Sequence, residues 1–430
     1  MIQGTIDPNF WYVARSLQRQ IFGGNSGGAA VCVYHEGRKV VDIWSGDRDD
    51  RGNPWREDTM ALSFSTSKGI VSTLAHILAD RGLIDYDEPI ATYWPAFAQS
   101  GKDAITVRDV MTHRAGLQRI RSLIKSGREM LDWDGMMRVL ETASPDPYLI
   151  GQPGYHGLTY GFLIGGLLQQ VTGTPLPELI RTELAEPLGL DGLYIGIQGN
   201  DEARVRAATL ARPIERVAGI KTLLDAGGMI ERLGKFGAAL RNLPVNLVLI
   251  RDVLVPEEDA DVFWHNDAMD SPMPSANGLC TARSLARLYA MIAEGGAIEG
   301  KRILSSTAVH RLSEVQTQER DRVLVFPMHW RLGYHSAFTT RGRVNSGFGH
   351  FGYGGSGAWA DPERRISVAM VNNQMGGGPF GDYRIAEVGN AALRSARIAK
   401  GLGETIRERV WQSALNANPL LKVATSTLQR

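Results

Sequence analysis

The sequence predicts an α/β fold of the α+β type: a mainly antiparallel sheet flanked by helices, with a helical region inserted between its strands. Three observations carry this. Strand patterns gather near both ends of the chain while the middle reads as helical, two early strands meet at a hairpin signal, and an extended segment ending at Ser63 runs directly into a long apolar helix. The division expected is an α/β domain built from residues 1–88 and 270–400, a mainly helical domain with an irregular insertion over 89–269, and a C-terminal extension over 401–430. A cleft is expected along the seam between the sheet and the helical region.

In chain order, Phe10, Val13, Leu17 and Ile21 recur at helical spacing and predict an amphipathic helix over 7–22. The turn that follows contains Gly24, Ser26 and Gly28 in a Gly-x-Ser-x-Gly pattern. A nucleophile elbow of that pattern needs a strand before it and a helix after it, and here the order is reversed, so Ser26 is set aside. Ala29 to His35 and Arg38 to Ser45 predict two strands joined at Glu36-Gly37, and Thr59 to Ser63 a third. Ile70, Val71, Leu74, Ile77 and Leu78 then mark a helix that starts near Thr66 and stops at Gly82.

Pro89, Pro95 and the Gln99–Asp103 stretch hold the chain in loops, and Thr106 caps a short helix that leads into His113. Leu123 to Thr142 reads as mostly helical. After a proline-rich break and the turn Gly151-Gln152-Pro153-Gly154-Tyr155-His156, a helix carries Tyr160, Leu163, Ile164, Leu167 and Leu168 to a stop at Gly173, and Leu176 to Leu184 forms another. Residues 201–265 carry no clear period and read as an insertion able to line or cover a pocket. Asn277 and Gly278 read as a turn before a helix over Thr281 to Ile292. Strands return at Met328 to Tyr334, Gly357 to Ala360 and Ile366 to Asn372, and a helix over 382–398 precedes one further helical segment and a polar end.

With 430 residues and 43% apolar content, the chain can bury the core of two domains or of one elaborated domain. Its 47 basic residues against 46 acidic ones give no support for a nucleic-acid partner or an anionic membrane surface. No basic-then-apolar leader opens the sequence and no apolar run is long enough to span a bilayer, which together predict a soluble, cytoplasmic protein. Cys32 and Cys280 are expected to be free and buried. No His, Cys, Asp and Glu grouping has metal-ligand spacing, so neither metal nor cofactor is expected, and oligomeric state is not legible.

The chemistry concentrates at Ser65-Thr66-Ser67-Lys68. Residues three apart at a helix start share a face, so the Lys68 amine can reach the Ser65 hydroxyl, and the helix N-terminus favours the negative charge that develops when a carbonyl is attacked. A serine hydroxyl needs such a base, and Lys68 serves as one only if burial lowers its pKa. Spacing alone leaves the bland alternatives open: Ser65 as a helix cap, Tyr155 as a half-buried tyrosine after a Pro-Gly turn, His350 as a satisfied core histidine.

Ser65-Thr66-Ser67-Lys68, Tyr155-His156 and His350-Phe351-Gly352 occur in that order, with Thr112 to Leu117, Pro187 to Leu190 and Gly354 to Gly357 between and after them. In these motifs the chain resembles the serine beta-lactamase and penicillin-binding superfamily, and within it the class C-like esterases called family VIII carboxylesterases, over about residues 10–400. The resemblance implies a beta-lactamase/DD-peptidase-like fold, Ser65 as the acylated nucleophile, Lys68 as its base and Tyr155 as a phenolate that shuttles a proton to the leaving group. It also implies oxyanion donors in the backbone N–H groups of Ser65 and Tyr353, with His350, Gly352 and His156 supporting the site or binding substrate. Two motifs depart from the usual pattern: in Tyr155-His156-Gly157 the glycine stands where the Asn of Tyr-x-Asn is common, and His350 stands where a Lys is common. Without a permanent cation at 350, recognition of a substrate carboxylate weakens. The implied activity is therefore hydrolysis of small, uncharged carboxylic esters with short acyl chains; the alternatives are a beta-lactamase, a D-amino-acid peptidase, an acyltransferase, or a non-catalytic binding protein of the same fold.

Overall fold

The computed structural model describes residues 1–22, 27–211, 247–259, 261–375 and 382–401. Gly24 and Ser26 of the set-aside motif, most of the irregular insertion and the chain beyond 401 lie outside them.

Twelve strands are present among the described residues: β1 (Gln3–Ile6), β2 (Gly28–His35), β3 (Arg38–Gly46), β4 (Ala61–Leu62), β5 (Leu193–Tyr194), β6 (Leu279–Cys280), β7 (Ala297–Ile298), β8 (Lys301–Arg302), β9 (His335–Thr339), β10 (Gly342–Phe351), β11 (Gly357–Asp361) and β12 (Ile366–Asn372). Seven form one antiparallel sheet in the order β1-β3-β2-β12-β11-β10-β9. The two ends of the chain join where β2 pairs with β12, from Ala29 opposite Asn372 to His35 opposite Ile366. Both faces of this sheet are covered, so its central strands β2, β12 and β11 are buried throughout and mostly apolar. On β2, Ala30, Cys32 and Tyr34 enter the larger core, which includes the Ala282–Ala293 helix. Ala29, Val31 and Val33 enter the other core, formed with the Trp11–Phe22 and Arg384–Gly401 helices. Cys32 and Cys280 are both free and buried.

The Ser67–Asp80 helix runs through the larger core, with every residue from Ser67 to Leu78 buried. It packs on the Thr159–Thr172 helix and on β10. It ends as expected at Gly82: the Gly82 N–H donates to Ala79 O and the Leu83 N–H to Leu78 O, the paired bonds of a Schellman motif.

Three elements differ from the expectation. The strand expected over Met328 to Tyr334 is irregular chain. Val325 and His329 adopt positive φ there, and buried Arg331 donates to Ser313 O and Asn345 O, tying the segment down by side chain in place of a ladder. The true strands are β9 and β10, just beyond it, and β10 carries three glycines inside its span. Gly349 is required by contact, since a Cβ there would stand 2.1 Å from Ala358 O on β11. Third, the mostly helical stretch expected over Leu123 to Thr142 is split into a 3-10 helix over Gly127–Leu131 and an α-helix over Trp133–Thr142, because the Asp132 side chain caps a fresh start by accepting from Gly135 N. No helix among the described residues is long and apolar enough to cross a membrane.

Candidate active site

Ser65 sits between β4 and the Ser67–Asp80 helix, on a turn set by Phe64, whose φ of 45° is left-handed for a large side chain. The turn is held on both sides. Ser63 N–H donates to Gly278 O, and successive N–H groups of Thr66, Ser67 and Lys68 donate to Ser63, Phe64 and Ser65 carbonyls. Ser67 Oγ donates to Phe64 O and accepts from Gly278 N, so this second serine of the motif is spent on the turn. Ser65 is left part-exposed with its hydroxyl free for other partners.

Two side chains converge on that hydroxyl. Lys68 Nζ lies 3.0 Å from Ser65 Oγ, and the Tyr155 phenol donates to the same oxygen at 2.8 Å. Lys68 is fully buried, and its amine also donates to Gly157 O at 2.6 Å and Ser275 O at 3.0 Å. Burial without a carboxylate partner pushes the Lys68 pKa well down. A neutral amine has two N–H groups and one lone pair. With both N–H groups taken by carbonyls, the lone pair is left facing the Ser65 hydroxyl. Burial pushes the Tyr155 phenol up, so the resting group is a neutral phenol and donor, and the phenolate implied by resemblance is not the resting form. With Lys68 in its neutral form, the chain from phenol to serine to amine to carbonyl would satisfy each polar atom without a net charge.

The other expected residues are placed as follows. His350 is buried on β10 with its ring 6.2 Å from that of Tyr155, and burial pushes its pKa well down, leaving it neutral. Its Nε2 has no hydrogen-bond partner among the described residues. Gly352 passes against the serine turn so closely that a Cβ would lie 2.2 Å from Ser63 O, which sets Tyr353 beside Phe64 with ring centroids 6.0 Å apart. His156 is buried, its Nδ1 bonds to Gly154 O and its Nε2 accepts from Leu117 N, so both ring nitrogens hold loops together. Asn277 is likewise spent, on Ala268 O, Ser271 O and Met273 N.

Sequence reasoning missed the groups that hold these side chains in place. The Gly157 and Ser275 carbonyls that receive Lys68 leave no trace in residue type. Arg384 donates to Gly354 O and Gln374 O and pairs with buried Asp382, anchoring the loop after Gly352, and a buried arginine is not recognisable as such from its neighbours in sequence. Trp330 stacks on Tyr155 with an interplanar angle of 7°. Among the described residues no three His, Cys, Asp or Glu side chains come together as a metal site.

A mixed α/β fold with an antiparallel sheet flanked by helices, carrying a Ser-x-x-Lys helix start beneath a tyrosine from the helical region, is the fold of the beta-lactamases and penicillin-binding proteins. The chain belongs to the beta-lactamase family, whose model matches residues 13–393. It is 41% identical over 375 residues, 86% of this chain and 83% of the relative, to the esterase/beta-lactamase LipL of Mycobacterium tuberculosis. Among solved structures it resembles a family VIII carboxylesterase, with 28% identity, a TM-score of 0.78 and coverage of 92% of this chain and 100% of the other. It also resembles a penicillin-binding protein homologue from Caulobacter crescentus, with 30% identity, a TM-score of 0.77 and the same coverage.

Proposed function

We propose that the protein is a carboxylesterase that cleaves small esters with short acyl chains through an acyl-enzyme on Ser65. The observation that carries this is the double contact at Ser65 Oγ, an amine at 3.0 Å and a phenol at 2.8 Å. Lys68 takes the Ser65 proton as the oxygen attacks the ester carbonyl, and the Ser65 and Tyr353 N–H groups receive the oxyanion. As the C–O bond breaks, the Tyr155 phenol gives its proton to the departing alkoxide and recovers one from the Lys68 ammonium. Water then adds to the acyl carbon, its proton passing to the same pair and on to Ser65 as the acid leaves.

Two features favour esters over beta-lactams. A neutral, buried His350 offers no fixed charge to a substrate carboxylate, and the chain's similarity to a family VIII carboxylesterase points the same way. The test is release of p-nitrophenol from short-chain acyl esters beside opening of a chromogenic cephalosporin. The expected result is kcat/KM at least about tenfold higher on the esters, a difference of about 1.4 kcal/mol in transition-state binding. Cephalosporin turnover equal to or above ester turnover would reverse the assignment.

Tyr155→Phe keeps the ring and its stacking but removes the proton. We expect kcat/KM on an ethyl ester to fall by on the order of 10²–10³-fold, because an alkoxide leaves poorly without a proton. The p-nitrophenyl ester of the same acid should lose much less, since its phenolate departs unprotonated at neutral pH.

A further inference from the structure

Tyr155 belongs to no helix or strand: it lies in the turn that precedes the Thr159–Thr172 helix. Its phenol must nevertheless be held to a few tenths of an ångström, and the ties that do this come from a distant segment. The Asp321 carboxylate is fully buried, with no cation paired to it among the described residues. Its Oδ1 accepts from the Tyr155 backbone N–H at 3.2 Å and from Val323 N and Leu324 N at 2.9 and 2.8 Å. Its Oδ2 accepts from the Trp330 indole N–H at 3.0 Å. That indole is the ring stacked on Tyr155, with centroids 5.8 Å apart. The next residue repeats the tie, as Arg322 N–H donates to Pro153 O at 2.8 Å.

A carboxylate buried without a counter-charge is costly, and a turn could be capped by a neutral side chain at less cost. What a neutral amide cannot do is accept at both ends, since it has one oxygen and its other terminal atom is a donor. Only the carboxylate takes the Tyr155 main chain on one oxygen and the indole that backs the Tyr155 ring on the other. We propose that Asp321 is a positioning residue for the reaction, fixing the Tyr155 phenol over Ser65 through both its backbone and its stacking partner. The inference rests on Tyr155 acting as the acid for the leaving group.

Asp321→Asn tests it. An amide whose oxygen stays on the three backbone N–H groups turns its NH₂ toward the indole N–H, donor against donor, which releases Trp330 and with it the ring of Tyr155. The expected result is selective: kcat/KM on the ethyl ester falls on the order of 100-fold, on the p-nitrophenyl ester less than about fivefold, as misplacement of an acid by about 1 Å would produce. Trp330→Phe, which keeps a ring but lacks the N–H, should show the same selectivity more weakly, and it decides the matter if Asp321→Asn does not fold. A loss equal for both esters in these variants, while Tyr155→Phe still discriminates between them, overturns the role of Asp321. If Tyr155→Phe itself shows no difference between the esters, the reading of Tyr155 as the acid fails first.

Discussion

Ser65→Ala is expected to lower kcat/KM on every ester by on the order of 10⁴-fold or more while leaving the thermal midpoint within a few degrees of the parent. The size follows from the site's construction. Lys68 has spent its N–H groups on Gly157 O and Ser275 O, and Ser67 has spent its hydroxyl on Phe64 O and Gly278 N, so no neighbouring oxygen can take over the attack. Water activated by the amine and phenol would give the only remaining route, and it forms no covalent intermediate. The small effect on stability follows from the part-exposed position of Ser65, where water can replace the lost hydroxyl as partner to the Tyr155 phenol. Two measurements check this. Purified Ser65→Ala should retain the parent's melting curve, and mass spectrometry after incubation with a slow acylating ester should find the added mass on the Ser65 peptide of the parent and nowhere on the variant. Turnover by the variant above about a hundredth of the parent would remove Ser65 from the nucleophile's role.

What could be read from sequence depended on whether a residue's neighbours in the chain are also its neighbours in space. The hairpin at Glu36-Gly37 was legible because a two-residue turn declares itself locally, and both residues do adopt positive φ. The Ser65–Lys68 contact was legible for the same reason, as one turn of helix fixes it. Tyr155 stands 90 positions from Ser65 and was located only through the ordered motifs of the resemblance, while its hydroxyl contact needed coordinates. β10 escaped notice because its glycines depress strand propensity, and they are there for a reason no local pattern contains: at Gly349 the neighbouring strand leaves no room for a Cβ. Asp321 escaped altogether. Its partners are main-chain N–H groups and an indole, and sequence shows an ordinary acidic residue between two arginines, which reads as surface.

Lys68→Arg is expected to be nearly as damaging as loss of the nucleophile, by on the order of 10³-fold, although it preserves the positive charge. Arginine stays protonated and has no lone pair, so it can supply a field at Ser65 but cannot take its proton. Lys68→Met separates charge from bulk: a flexible apolar chain fills the same tunnel with neither charge nor lone pair, and it should lose activity to a similar extent. If the lysine served mainly as a cation, the arginine variant would stay within about tenfold of the parent and far above the methionine one. The pH dependence gives a second, independent check. Burial holds the Lys68 pKa well below its usual 10.5, and in the proposed mechanism the neutral form is the active one. The parent's kcat/KM on an uncharged ester should therefore rise with pH through that lowered pKa and then level. The surrounding rings do not explain such a rise, since burial holds His335 at about 4 and His156 at about 3 and Tyr155 stays protonated throughout; the buried Asp321 carboxyl, pushed up to about 6, is a second group whose ionisation would give a rise, and the methionine variant separates the two. The same depression has a stability consequence of fixed sign. Because the unfolded chain binds a proton that the folded one lacks, this group's contribution to folding rises with pH between the folded and the unfolded pKa, and levels off below the former. In the methionine variant both the rise in residual activity and this component of the pH–stability profile should vanish together, whereas a profile unchanged by the substitution would place the titrating group elsewhere.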